Sequence, residues 1–165
     1  MSNTPQIHPD LYPILKSVPD PEIPVLSIID LGVVRHAELD GSKAIVNITP
    51  TYSGCPAMDV IGDDIETALS EKGYEPKVNL ILAPAWTTDW MTEEGEKALK
   101  QYGIAPPMDA TSDKKALLGE EQVIPCPQCE STHTKLVSQF ASTACKAMFK
   151  CEDCDETFDY FKCLI

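Results

Sequence analysis

Two cysteine pairs, Cys126-Pro-Gln-Cys129 and Cys151-Glu-Asp-Cys154, are separated by 21 residues. A C-x-x-C step bends into a tight knuckle that presents two thiolates, and a hairpin between two knuckles closes four sulfurs around one tetrahedral ion. The spacing predicts a ribbon in which Cys126, Cys129, Cys151 and Cys154 hold one structural zinc per chain. A closed set of four sulfurs leaves no position for water or substrate, so such a site holds a fold and does no chemistry on a ligand. Spacing does not separate zinc from a rubredoxin-like iron, but cytoplasmic availability and ribbon precedent favour zinc. The ion also explains how about 40 residues of modest hydrophobicity fold, since so short a segment rarely buries enough core unaided.

Cys55 is a different case. It lies in Thr49-Pro-Thr51-Tyr-Ser-Gly-Cys55-Pro56, where a strand gives way to an inferred helix. Pro56 suits the first helical position, which puts Cys55 at the N-cap, facing unpaired N–H groups and the positive end of the helix dipole. Both lower a thiol pKa, and a thiolate near neutral pH attacks electrophiles, exchanges disulfides or holds a soft metal. The alternative is a small buried hydrophobe, the common fate of a lone cysteine. Cys145 and Cys163 read either as buried small residues or as a secondary thiol site. Glu130-Ser-Thr-His133 fits the Glu-x-x-His step of di-iron enzymes, but those sites need two such pairs on long helices, and this chain has one beside a knuckle.

The chain has 165 residues and a formal net charge of −13, with Arg35 its single arginine. From Cys126 onward there are four lysines against six acidic residues, the reverse of a phosphate-binding surface, so no nucleic-acid partner is expected. The acidic surface serves either solubility or the docking of a basic protein. The longest apolar run, Val25 to Val34, is broken by Asp30, so no membrane partner is expected. The N-terminus lacks a signal-peptide pattern, and seven cysteines without one point to a cytoplasmic location and to metal or thiol chemistry.

The elements that must position these residues follow from periodicity. His8–Val18 has helical spacing at Leu11, Ile14, Leu15 and Val18. Asp20-Pro21-Glu22-Ile23-Pro24 must be extended. Gly32–Leu39 and Lys43–Thr49 read as strands around an Asp40-Gly41 turn, with Ala44, Val46 and Ile48 as one buried face. Pro56–Glu71 is helical, with Met58, Ile61, Ile65, Ala68 and Leu69 inward. Lys77–Leu82 gives a third strand and Thr92–Tyr102 a third helix. The fold class is α+β: a small three-stranded sheet with helices on one face, followed by the C-terminal four-cysteine ribbon. The domains are 1–103, a linker 104–123 ending in a short helix through Leu117-Leu118, and the ribbon 124–165.

Four motifs now stand in order: Asp20-Pro21-Glu22, Asp30-Leu31-Gly32, Thr49-x-Thr51-x-x-Gly54-Cys55-Pro56 and Pro84-x-Trp86-Thr87-x-Asp89-x-Met91. Together they resemble the domain of iron–sulfur assembly and targeting factors. Joined to the ribbon, with Ser142-Thr-Ala-Cys145-Lys-Ala and Phe158-Asp-Tyr-Phe-Lys-Cys163, the chain resembles the PaaD-like family of accessory subunits in the phenylacetyl-CoA epoxidase system. The resemblance implies a maturation role beside the oxygenase, with the epoxidase's reductase or its di-iron component as client. It maps the family's cysteine onto Cys55, as transient ligand of iron or an Fe–S cluster. Asp20 and Glu22 carry the acidic motif and either ligate iron or order the loop around Cys55. Thr49, Thr51, Trp86 and Asp89 are expected to support the site, and Trp86 and Trp90 either cover the cysteine or pack on the sheet. Where relatives often have Asp-Pro-Pro-Trp, this chain has Ala83-Pro84-Ala85-Trp86, which removes one candidate ligand.

Three functions compete: a non-enzymatic assembly factor, a structural adaptor docking oxygenase components through ribbon and acidic surface, and, weakest, a thiol enzyme with His36 as base to Cys55. A homodimer would let two Cys55 sulfurs share a cluster.

Overall fold

The computed structural model describes residues 4–108 and 122–162. The expected helix at Leu117-Leu118, most of the linker 104–123, and Cys163 lie outside the described residues. The chain divides into two compact units, Met1–Gly95 and Glu96–Ile165.

The first unit is built on a four-stranded sheet, one strand more than the pattern foretold. Its strands are β1 (Gln6–Ile7), β2 (Val34–Asp40), β3 (Lys43–Ile48) and β4 (Glu75–Leu80), in that spatial order. The extra strand, β1, pairs parallel to β2 over two residues, too few to leave an alternation in the sequence. β2 and β3 form the expected antiparallel hairpin, with Gly41 at φ 62° in its turn. β3 and β4 run parallel, so the chain crosses over through a helix. That helix is α2 (Ala57–Glu71); Met58, Ile61, Ile65 and Leu69 are buried, as are Ala44, Val46 and Ile48 of β3. α2 ends because Gly73, at φ 87°, lets its N–H reach the Ser70 carbonyl while Tyr74 N–H reaches Leu69, a Schellman closure. The first helix, α1 (Tyr12–Lys16), is shorter than expected, but Leu11, Leu15 and Val18 are all buried.

The second and fourth sequence motifs meet in this unit. Asp30 is buried and accepts hydrogen bonds from Lys16 Nζ, from Ser27 Oγ at 3.0 Å and from Thr92 Oγ1 at 2.8 Å. Gly32, at φ 77°, lets the backbone of Trp90 approach so closely that a Cβ there would lie 2.4 Å from the Trp90 carbonyl oxygen. Trp86 Nε1 donates to the Leu31 carbonyl at 2.9 Å. Thr92 then caps α3 (Glu93–Tyr102), its Oγ1 accepting the Gly95 N–H at 3.0 Å.

The division between the units falls inside α3. In the second unit, Ile104–Ala105, expected to open the linker, forms β5 and pairs parallel to β8 (Thr157–Phe161). Both residues are buried, and covering the sheet edge with them removes apolar surface from water. β6 (Thr134–Ser138), β7 (Lys146–Cys151) and β8 form an antiparallel meander, in the spatial order β5-β8-β7-β6. Its core is Ala105, Ile124, Cys126, Ala147, Phe149, Cys151, Phe158 and Tyr160. Phe149 stacks on Phe158 and meets Tyr160 edge-on, with ring centroids 6.0 and 5.8 Å apart.

Candidate functional site

The four ribbon sulfurs lie within 4.8 Å of one another. Cys126 and Cys154 are 3.8 Å apart and Cys129 and Cys151 are 3.6 Å apart, sulfur to sulfur. A tetrahedron with Zn–S bonds of about 2.3 Å has edges of about 3.8 Å, so the donor set fits zinc. The two knuckles repeat one design. Cys126 N–H bonds the Ser131 carbonyl at 2.9 Å, and Cys151 N–H bonds the Glu156 carbonyl at 2.8 Å, the same five-residue step. In each, the residue after the second cysteine, Glu130 or Asp155, adopts φ 61°. The first cysteine of each pair is buried in the core and the second is exposed.

Electrostatics shows why these thiols call for a cation. N–H donors of Cys154 and Asp153 bring the Cys151 thiol down to about 7. Cys154 receives the Glu156 N–H, yet the loss of water around its sulfur and the crowding sulfurs of Cys129, Cys151 and Cys126 push it up to about 12. Adjacent sulfurs cannot all ionise beside one another without a positive ion between them, and binding one releases the remaining protons. The knuckles are also tied to each other outside the sulfurs. Asp153 accepts from Ser131 Oγ and lies 3.2 Å from His133 Nδ1, and Glu152 N–H bonds the His133 carbonyl. His133 is therefore a surface clamp, and Glu130 pairs with Lys100 at 2.5 Å.

Cys55 sits in the loop between β3 and α2, half-buried, and the sequence expectation for it needs correcting in two respects. α2 starts at Ala57 with Pro56 as its N-cap, so Cys55 precedes the cap by one residue. Its thiol is raised above the ordinary value, not lowered. Burial is the main cause; the Ala57 N–H and Tyr52 hydroxyl favour the thiolate, but the negative charges of Glu22 and Asp20 oppose it. The first and third motifs therefore act on each other, as the second and fourth do.

The acidic motif has its own architecture. Asp20 is buried, and its Oδ1 accepts the N–H groups of Glu22 at 2.9 Å and Ile23 at 2.8 Å. Asp20 N–H bonds Leu26, which closes the 20–26 loop. The 20–24 segment is therefore a turn and not the extended stretch expected from its prolines, because Asp20 gathers the N–H groups of Glu22 and Ile23; Glu22, carried on this turn, remains half-exposed. Thr49 is buried, and its Oγ1 has no hydrogen-bond partner among the described residues; Thr51 is half-exposed. Trp86 and Trp90 are both buried against the 31–32 turn, Trp90 with the Arg35 guanidinium 3.7 Å above its ring, and Asp89 is exposed. His36 lies 3.2 Å from Glu38. Cys145 is buried, with Thr143 Oγ1 at 3.0 Å from its sulfur. The organising residue to which sequence reasoning gave no role is Asp30. Its signal was present: it is the one charge inside the longest apolar run, and a charge survives there only when paired.

Comparison with known proteins divides the chain in a similar way. Residues 10–79 match the family described as iron–sulfur cluster assembly protein, and residues 110–162 match the PaaD zinc beta ribbon domain. An Escherichia coli K12 protein, named as the D-type component of a "Putative 1,2-phenylacetyl-CoA epoxidase", is 48% identical over 97% of this chain and 94% of its own length. An Fe-S protein maturation auxiliary factor of Porphyromonas gingivalis is 37% identical over 54% of this chain and 87% of its own. Among solved structures, a DUF59 domain from Bacillus anthracis superposes with TM-score 0.51 at 32% identity, covering 55% of this chain and 88% of that one.

Proposed function

The chain belongs to the PaaD-like accessory-subunit family of 1,2-phenylacetyl-CoA epoxidase, with an iron–sulfur cluster assembly domain ahead of its zinc ribbon, and from that premise we propose a non-enzymatic accessory factor for iron–sulfur or iron centres. The client is the epoxidase's reductase or its di-iron component, met in the cytoplasm. Cys55 is the transient ligand of the iron or cluster being delivered, which is cargo and not a resident cofactor. Cys126, Cys129, Cys151 and Cys154 hold one structural zinc.

The observation that carries this reading is a half-buried thiol under the charge of two carboxylates. Burial, with the charges of Glu22 and Asp20 added to it, holds the proton on the resting thiol, and the same two charges attract a cation; an arriving iron ion replaces that proton. The resting site is thereby protected from indiscriminate thiol chemistry, since the neutral thiol is a poor nucleophile. A thiol enzyme would need the opposite tuning, and His36 is engaged with Glu38. Thr49, Thr51, Trp86 and Asp89 are assigned to the frame around this loop. Two copies would supply a second Cys55 to a shared cluster.

The test is Cys55→Ala in cells that make the whole epoxidase. The expected result is a folded variant with unchanged ribbon zinc and a reductase or oxygenase lacking its metal centre. Fully metallated, active epoxidase would refute the assignment and leave the adaptor reading. The mass of anaerobically iron-loaded protein decides the homodimer.

A further inference from the structure

Among the described residues β6 forms an edge of the ribbon sheet, and the chemistry there is unlike the rest of the molecule. β6 is the last strand of the β5-β8-β7-β6 sheet, so among the described residues one side of its backbone has no neighbouring strand in that sheet. Leu136 and Val137 are 48% and 53% exposed, and Phe140, just beyond the strand, is 60% exposed. Leu136 pairs in register with buried Phe149, so the ribbon's apolar core runs out to this edge without being closed. A face that ends in this way is completed by another strand.

Charge selects the strand. Between Ser131 and Cys151 the chain carries Lys135, Lys146 and Lys150 and no aspartate or glutamate, within a molecule of net charge −13; Lys146 is buried and paired with Asp159 at 3.3 Å, which leaves Lys135 and Lys150 as the cations of this face. Lys135 and Lys150 are register partners, so two like charges stand opposite each other on the face away from the core. Such a pair is unfavourable, and among the described residues its relief comes from Glu152 and Asp155, at 2.9 and 3.0 Å, both largely exposed. Pairing β6 with β6 of a second copy would put four lysines on one sheet face. The bulge at Val137 further shortens the regular edge. The edge is therefore hostile to its own kind and open to an acidic strand.

We propose that β6 is a docking edge for an extended segment of a partner protein in which acidic and apolar residues alternate. The apolar residues extend the core beyond Leu136, and the acidic ones lie beside Lys135 on the opposite face. The ribbon then serves as a recognition module, independently of whether Cys55 handles iron.

The experiment uses the full, zinc-loaded chain and two labelled ten-residue peptides, one alternating glutamate with valine and one alternating lysine with valine, followed by fluorescence anisotropy. The glutamate peptide is expected to bind saturably and at least tenfold more tightly than the lysine peptide. Lys135→Glu should reverse that preference, and Leu136→Ser should weaken the glutamate peptide at least threefold, both with unchanged zinc content. Val137→Ser, at a side chain already exposed, provides a second apolar probe if Leu136→Ser loses zinc, and it too should weaken the glutamate peptide. Equal binding of the two peptides, no saturable binding, or indifference to these substitutions would overturn the proposal. So would a dimer of the chain itself that Leu136→Ser or Val137→Ser dissociates.

Discussion

At Cys126, Cys129, Cys151 and Cys154 each sulfur has other sulfurs and backbone N–H groups around it, whereas the Cys55 sulfur has the carboxylates of Glu22 and Asp20 within electrostatic reach. The first arrangement fixes coordination number in advance: four donors at tetrahedral separations, two of them inside the core. The second supplies one soft donor and negative charge on a half-open loop. One is suited to keeping an ion; the other, under the proposed function, holds one for a time. The difference lies in the neighbours, since the side chain is the same.

The largest effect that tests this contrast is removal of the ribbon's ion. Structural zinc contributes on the order of 10 kcal/mol of apparent folding free energy in comparable modules. Chelation should therefore abolish the dispersed NMR signals of residues 122–162 while those of residues 4–95 persist. Survival of the ribbon signals would mean that its aromatic core suffices and that the ion at the four sulfurs is dispensable to the fold.

A middle-sized effect lies in the frame that carries the Cys55 unit. Burial acts to raise the Asp30 carboxyl, but hydrogen bonds from Lys16, Thr92 and Ser27 outweigh it and hold the group below its ordinary 3.8. Because the folded value is depressed, the stabilisation is complete above that ordinary value and is lost as pH falls through the folded one. Asp30→Asn should cost about 2 kcal/mol at pH 7 and flatten the acid limb of the first unit's stability curve. Denaturant titrations of residues 4–95 signals between pH 2 and 7 check this. An unchanged acid limb would remove Asp30 from its organising position.

The smallest effect sharpens the contrast most directly. The Cys55 thiol lies above its ordinary 9.0, so alkylation by iodoacetamide at pH 7 should be slow and should rise only in alkaline solution. Glu22→Gln removes one opposing charge and should speed alkylation about threefold. An unchanged rate would show that Glu22 does not act on the sulfur, and a slower one that its charge does not hold the proton there.

The ribbon could be read from the chain because its chemistry is local: two residues between cysteines set a knuckle, and two knuckles set a site. The α2 stripe and the Asp40-Gly41 hairpin were legible for the same reason. Cys55 was not, because its proton affinity depends first on burial in the folded loop and then on carboxylates more than thirty residues earlier, whereas helix-cap reasoning sees only the next turn. β1 and β5, at two residues each, are held by pairing partners and have no period of their own. Asp30 stood out as a charge among apolar residues, but its partners Lys16 and Thr92 become visible only once the chain is folded.

Glu130 and Asp155 hold the left-handed backbone that glycine adopts more cheaply, and they do so at equivalent places in the two knuckles. Glycine there would relax the turn but would have no carboxylate to reach Lys100 on α3 or Lys150 on β7. The ribbon thus accepts a small conformational penalty in exchange for two tethers, each running from a metal-bearing loop to a regular element. Gripping the ion should stiffen the helix and strand at the far ends of those tethers, so that metal occupancy is felt well beyond the sulfurs themselves.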